Sequence, residues 1–491
     1  MVWIKFVFGL GLVFILILLW TAWSLYSKRR IFKFAENYKN SYTFYPIVGN
    51  SLSLKNTDMF ELFVNKGYKN GLPTGCWLGH NYYYLPDDTE EMKLVLTNQD
   101  CLDKADFYKV VKLCIWTSIL LLPGNLWKPK RKYLAKSFSL TTLNSFVPIF
   151  YKNSQTLIQR LKNMGNKDIF EVCVGYAFNA FLETMTNKNY NLQTEEGAKV
   201  IRHIDLCQEI AGEHFVNGTS GNLFYFFCIW TNIIQGFRLY TCVILYRIFI
   251  QQVVAEKEKE IKENSLEDTN KILLNSIINA DKNLYSRYAI NDEFATFAFA
   301  AADTSGTALA FLLTLLGMHV NIQDKVYEEI LKEIGLDRLI EVQDLPKLKY
   351  LERVIFETLR LFPIAPAIGR HATKDIECGT KTIPKGINIV ISIFTLHRDE
   401  RFWTDPLKFN PDRFLPEEVA KRPSFCYIPF STGPRNCIGR TYAMMSLKVV
   451  AANVIRHYKM FSNYKSVDEI NLRSFVTMRA RHNLDCKFTP R

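Results

Sequence analysis

The chain has 491 residues, 48% of them hydrophobic, which is enough for one large core or for about three ordinary domains. A formal charge of +13 suits nucleic acid, an anionic membrane surface or an acidic protein partner. Eleven scattered cysteines without a C-x-x-C pair argue against a disulfide framework or a zinc ribbon and fit a reducing compartment, and eight histidines without H-E-x-x-H spacing argue against a histidine-built metal site.

From Phe6 to Ser27 there is no charged residue, and this stretch at about 1.5 Å per residue spans roughly 33 Å, enough to cross a bilayer core. Lys28, Arg29, Arg30 and Lys33 follow it, against Lys5 alone before it, so the charge bias puts everything after the helix in the cytosol. A cleaved signal peptide is the competing reading, but its apolar region is normally about 7–15 residues, and Ala22-Trp23-Ser24 is a poor cleavage site. The membrane segment tips the charge argument toward a bilayer and away from nucleic acid. Beyond it no repeat, low-complexity tract or long linker divides the chain, so residues 1–30 read as an anchor and 31–491 as one domain.

Trp127 and Arg131 are four apart and share a helix face, with Pro129 tolerable only if that helix has just begun. Lys128, Lys130, Lys132 and Lys136 around them read as a solvated face. Residues 138–280 alternate apolar and polar residues at helical spacing; the mixed charges of Glu256 to Glu263 suit a solvated end, and the apolar stretches Phe224 to Trp230 and Tyr240 to Ile250 suit either core or bilayer. Asn291 or Asp292 caps a predicted long helix reaching His319, apolar on every side and therefore buried or membrane-spanning. Asp303 makes the membrane reading unattractive, because a buried carboxylate needs a partner or water. Beside it, Thr304 is open to bonding back to a carbonyl one turn earlier.

Glu357 and Arg360 lie at i,i+3 spacing on a helix that ends before Pro363. The Ile383-Pro384-Lys385-Gly386 turn and the alternation of Ile387, Ile389, Ile391 and Ile393 predict a β-hairpin region. The stretch from Phe425 to Leu447 then places Cys437 where a loop rich in turn residues meets a helix predicted to start at about Ile438, whose unpaired N–H groups favour a thiolate. Gly433 and Gly439 allow close approach of a flat ligand, Pro429 and Pro434 stiffen the loop, Arg435 supplies a cation, and Phe430 shields the sulfur. Behind it, Ala443, Leu447, Val450 and Val454 form one packing stripe.

The string Phe430-x-x-Gly433-x-Arg435-x-Cys437-x-Gly439 resembles the haem-thiolate loop of the cytochrome P-450 monooxygenases, and Pro434 to Gly439 is most similar to the family-four clan, with its many insect members. The resemblance covers most of the chain after the anchor. It implies a mainly α fold with small β-sheets, and haem b held between the long helix and the loop, with Cys437 as axial ligand to the iron. It implies that Trp127 and Arg131 hydrogen-bond a haem propionate, that Arg370 of Pro366-Ala367-Ile368-Gly369-Arg370 contacts one too, and that Arg413 of Phe409-Asn410-Pro411-Asp412-Arg413-Phe414 completes a structural triad with Glu357 and Arg360. Ala300-Ala301-Ala302-Asp303-Thr304-Ser305 is similar to the family's acid-alcohol segment, in which Asp303 and Thr304 open the helix to water and deliver protons toward dioxygen; Ala301 stands where the family has glycine.

The reaction so implied inserts one oxygen atom into a lipophilic substrate at the expense of NADPH electrons. No flavin or dinucleotide fingerprint is present, so the electrons come through a separate NADPH–cytochrome P-450 reductase, with cytochrome b5 as a second candidate donor, at the endoplasmic reticulum membrane. A haem-thiolate isomerase, or a membrane-anchored haem-binding protein without turnover, is the alternative. Fatty-acid ω-hydroxylases of the clan carry a glutamate three residues before the helix aspartate, able to form an ester with the haem; here that position is Ala300, which implies non-covalently held haem and a broader range of hormones, lipids or foreign compounds.

Overall fold

Helical spacing of apolar residues runs through most of the chain, and helices build most of the fold. In this computed structural model residues 2–38, 42–45, 48–54, 60–65, 71–115, 118–162, 168–218, 233–264, 272–474 and 477–491 are described. Helix α1 (Val2–Ser27) runs into α2 (Arg29–Ala35), followed by the strands β1 (Thr74–Leu78) and β2 (Asn81–Leu85). Then come α3 (Thr89–Thr97), α4 (Gly124–Leu134), α5 (Val147–Lys162), α6 (Ile169–Thr186), α7 (Glu195–Gly218), α8 (Ile233–Asn264), α9 (Arg287–Met318), α10 (Val320–Glu333) and α11 (Lys349–Leu361). Strands β3 (Ala367–His371), β4 (Ile376–Cys378), β5 (Lys381–Ile383) and β6 (Asn388–Ser392) precede α12 (Arg440–His457), and β7 (Tyr458–Phe461), β8 (Leu472–Ser474), β9 (Met478–Ala480) and β10 (Lys487–Pro490) close the chain.

The core is built on α9. Its residues from Phe294 to Leu316 are buried on nearly every side, so apolar partners must surround it: α6, α11, α12 and β7 all pack against it. The closest partner is α6, and Gly306 makes that approach possible, since a Cβ there would lie 2.5 Å from the Val174 Cα. α9 starts at Arg287, four residues before the predicted Asn291, because Ser286 accepts from the Ala289 N–H as N-cap. Asp292, a predicted cap, instead pairs with Arg247 of α8 at 3.0 Å.

The sheets are small, as the family resemblance implies. β1, β2, β6 and β3 form one sheet in that order, with β2 and β6 parallel and the outer pairs antiparallel. The isoleucine alternation is present in β6, but β6 pairs with β3 and β2, while β5 pairs with β4. Burial explains the difference: Ile389 and Ile391 enter one hydrophobic cluster and Val390 another, so β6 needs cover on both faces, which an isolated hairpin lacks. Helix α4 begins at Gly124, five residues before Pro129, rather than just at the proline; it carries Pro129 as an interior residue.

Helix α1 leaves Phe8, Leu12, Ile15, Leu19 and Trp23 exposed, and its end docks on the β1–β2 turn, where the Trp20 ring stands edge-on to His80 at 4.3 Å and Lys28 donates to the His80 carbonyl. In α8, Leu239, Cys242, Val243, Tyr246 and Ile250 are buried while Phe237, Tyr240, Leu245 and Ile248 are exposed, so the stretch open to either reading in the sequence is core on one face and free on the other. The run 256–263 forms the end of α8, with Lys257 buried against Thr186 O. The predicted apolar stretch Phe224 to Trp230 lies outside the described residues.

Replacing Gly306 by alanine is expected to lower stability by about 1–3 kcal/mol through overpacking, although alanine is the better helix former by about 1 kcal/mol. A urea-unfolding midpoint at or above that of the parent would show that α6 and α9 have room to spare.

Candidate active site

The loop before α12 is shaped by backbone that side chains would obstruct. Gly433 has φ +72, and a Cβ there would lie 2.1 Å from the Leu96 carbonyl oxygen at the end of α3, so the glycine is required for the loop to sit against that helix. The Cys437 N–H donates to Phe430 O at 2.9 Å and closes the turn. Arg435 donates to the carbonyls of Leu102 at 2.8 Å, Ile119 at 3.1 Å and Leu122, and its guanidinium lies 4.5 Å from the Trp127 ring. The helix itself starts at Arg440 with Gly439 as cap, two residues later than predicted, so Cys437 precedes the helix by three positions.

Cys437 opens onto a cavity of about 370 Å³. Its opposite wall is α9, which contributes the small side chains Ala300, Ala301, Thr304, Ser305 and Ala308; Phe107, Tyr108, Ile119, Phe297 and Ile364 add apolar surface, and Ser474 and Thr477 come from the β8–β9 hairpin. Ala443 and Leu447 also line it, so the front of the α12 stripe faces the cavity, while Val450 and Val454 are buried core as predicted. Burial pushes the Cys437 thiol up, opposed by the Gly439 N–H and by Arg131, Arg440 and Lys104. A bound metal cation overrides that tendency, because a coordinating thiol is deprotonated outright.

Cations gather along the loop edge of the cavity. Arg131 donates to Asn436 Oδ1 at 2.8 Å, tying α4 to the cysteine loop. Lys104 sits over the Tyr108 ring at 4.7 Å and lines the cavity with Arg131 and Arg435. Arg370 stands one layer behind, bonded to its neighbour Gly369 O and reaching Ser431 Oγ at 3.5 Å, so it does not itself line the cavity. Burial, together with the Arg370 charge, lowers Arg435 to about 9 and holds Lys104 well below its usual range. Among the described residues none of these four cations makes a salt bridge to a carboxylate. Neighbouring positive groups without counter-charge, beside an apolar slot and a thiol, fit a flat dianionic metal macrocycle with its two carboxylates at that edge.

The predicted acid-alcohol pair is divided. Thr304 lines the cavity and donates to Ala300 O at 2.6 Å, the back-bond to the preceding turn. Asp303 is fully buried, is absent from the cavity wall, and accepts from Arg479 of β9. The Arg479 guanidinium gives the reason: it takes the Asp303 carboxylate on the side of α9 that meets β9, away from the cavity that Thr304 lines.

Glu357, Arg360 and Arg413 meet as expected. Arg360 forks onto Glu357 at 2.7 and 2.9 Å and reaches the His397 carbonyl at 2.8 Å, while Arg413 Nε lies 3.4 Å from Glu357. Both members of the central pair are fully buried, so removing either partner would strand a charge. Sequence reasoning passed over three residues. Lys104 has no motif around it; Arg479 lies in a short strand far from α9 in sequence; and Glu293 of α9, pushed up to about 7 by burial, accepts from the Ile119 N–H at 2.9 Å and lies 3.8 Å from Lys130. That contact turns Lys130 inward over the Tyr285 ring and away from the solvated face predicted for it, whereas Lys128, Lys132 and Lys136 are exposed.

The cytochrome P450 family model matches residues 40–486. The chain is 30% identical over 471 residues to human cytochrome P450 4V2, covering 91% of this chain and 88% of that protein. It is 31% identical over 446 residues to cytochrome P450 4c21 of Blattella germanica, covering 86% and 87%, and 28% identical over 440 residues to cytochrome P450 4d2 of Drosophila melanogaster, covering 84% and 87%. The cavity, its thiol and these relatives agree: the chain belongs to the cytochrome P450 family, among family-four members, and is a haem-thiolate monooxygenase of lipophilic substrates that draws its electrons from a reductase.

Proposed function

We propose that this monooxygenase works at the endoplasmic reticulum membrane, anchored through residues 1–30 with residues 31–491 as its cytosolic catalytic domain, and that it oxidises neutral lipophilic compounds such as insect hormones, lipids or insecticides. The observation that carries the reading is the placement of the Cys437 thiol across an apolar cavity from the small residues of α9, with cations along one edge. Haem bound there supplies dioxygen activation, with thiolate donation favouring O–O cleavage. Cys437 is the residue to ligate the iron. Trp127, Arg131, Arg435 and the previously unassigned Lys104 would hold the carboxylate edge, Arg370 would support it from behind Ser431, and Phe430 and Gly439 would flank the sulfur. Thr304 would orient water at the cavity wall, and Asp303 would supply protons from its buried position.

The exposed apolar rows of α1 and of α8 support contact with a bilayer. The second long apolar helix, Arg287–Met318, is core. Substrate chemistry follows from where the charges lie. Charged lining residues among those described are Lys104, Arg131 and Arg435, all at the loop edge, whereas α9 and the β8–β9 hairpin contribute hydroxyls such as Thr296, Ser305, Ser474 and Thr477. Such a wall suits a neutral molecule with one or two polar groups. Lys128, Lys132 and Arg440, exposed near the cysteine loop, suit an acidic flavoprotein such as NADPH–cytochrome P450 reductase, with cytochrome b5 as a second acidic donor.

Cys437→Ala is expected to abolish the strongly red-shifted Soret band of the reduced carbon-monoxide complex; survival of that band would assign the ligand elsewhere. Because Ala300 carries a methyl group where an ester would need a carboxylate, acidified organic solvent should release all the haem, and dodecanoic acid, if oxidised, should not react almost wholly at its last carbon. Haem that stays with the denatured chain would refute the first expectation. Reversing the charges of Lys128, Lys132 and Arg440 together should slow reduction by the reductase about tenfold at low salt and weaken its salt dependence; stopped-flow traces matching the parent would remove this patch from the docking surface.

A further inference from the structure

The hairpin of β8 and β9 brings Arg473 opposite Arg479. Arg473 Nη1 lies 2.8 Å from Glu209 Oε1, and Arg479 Nη1 lies 2.7 Å from Asp205 Oδ1. Asp205 and Glu209 are four apart on α7 and so share one of its faces. The two cross-strand arginines therefore take two carboxylates one turn apart, and tie α7 to the hairpin whose Ser474 and Thr477 line the cavity. Arg479 does more, since its Nη2 also donates to Asp303 Oδ1 on α9. Its side chain is 12% exposed and that of Asp303 is fully buried, while Asp303 Oδ2 has no partner among the described residues. One buried guanidinium thus serves carboxylates on two different helices, and one oxygen of the acid is left free.

We propose that Arg479 is a positioning residue for Asp303, shared with Asp205, so that the seating of α7 on the hairpin governs how firmly the acid of α9 is held away from the cavity. The inference rests on the assignment of proton supply to Asp303 made above. While Asp205 occupies Nη1, Arg479 grips Asp303 through one nitrogen. Without Asp205, the guanidinium can close on both oxygens of Asp303, and a bidentate pair is tighter and less free to turn. Moving α7 away from the hairpin would have the same consequence, which links the seating of α7 to the availability of the acid.

The test uses the full-length haem-loaded enzyme with its reductase, and whichever of dodecanoic acid and ethoxycoumarin the parent oxidises. Asp205→Asn and Glu209→Gln each cut one tie between α7 and the hairpin, so both should speed hydrogen–deuterium exchange in residues 195–209. Only Asp205→Asn should lower the product formed per NADPH consumed, by about fivefold, with a smaller change in KM. Arg479→Ala leaves the buried Asp303 carboxylate without its partner and so should fall with Asp303→Asn on that ratio, and Arg479→Lys should recover most of it. Equal losses in Asp205→Asn and Glu209→Gln would mean that the cluster only braces α7, and a parental ratio in Asp205→Asn would equally overturn the proposal. A parental ratio in Asp303→Asn would defeat the proton-supply assignment and this inference with it. A loss confined to Asp303→Asn would defeat this inference alone. Should Arg479→Ala fail to bind haem, the comparison of the two α7 variants decides.

Discussion

The buried guanidinium of Arg435 is the contact on which the site depends. Its hydrogen bonds to the carbonyls of Leu102, Ile119 and Leu122 join the cysteine loop to a segment more than 300 residues earlier, and the Trp127 ring covers its face. A cation taken from water is costly unless its donors are satisfied, and here backbone oxygens accept from it without a salt bridge to neutralise it. The positive charge therefore stays available at the cavity edge. Because Ile119 also donates its N–H to Glu293, the same residue is held from α9 through its N–H and from the loop through its carbonyl. Two walls of the cavity are thus registered to each other through one residue.

The second constraint is steric. A helix that is apolar on every side must be covered on every side, and α9 is covered so closely that Gly306 meets α6 without a Cβ. The small residues Ala300, Ala301 and Ala308 are then what leave space opposite Cys437. Close packing also explains why the charged groups inside the molecule occur in clusters of opposite sign. The Glu357, Arg360 and Arg413 group, and the Asp303, Arg479 and Asp205 group, each join segments far apart in sequence. In the first, Glu357 and Arg360 are fully buried and Arg413 reaches the surface. The second joins the hairpin that carries Ser474 and Thr477 to α7 and α9.

How far the site could be read in advance depended on whether its information was local. The cysteine loop was legible because glycines, prolines, an arginine and the thiol lie within eleven positions, and each has a separate reason to be there. The Glu357 and Arg360 pair was legible because helix periodicity places them together. Asp303 and Thr304 were legible as residues but not as a divided pair, since the arginine that holds Asp303 away from the cavity lies 176 residues later. Lys130 misled for a related reason: its neighbours are solvated, and only the position of Glu293 on another helix turns it inward.

By itself the sequence determined the family, the mainly helical character, the thiol that faces the cavity and the apolar N-terminal helix, because each rests on composition, periodicity or a contiguous motif. It also bounded the chemistry, since Ala300 cannot form an ester whatever the fold. Tertiary structure alone decided which cations share the cavity edge, that Arg370 stands behind Ser431, that Asp303 and Asp205 share Arg479, and which face of α8 is left open. Those are contacts between side chains separated by dozens to hundreds of residues. Local propensity carries no information about such pairs, because their energies are decided by which surfaces packing brings together and which charges burial leaves without water.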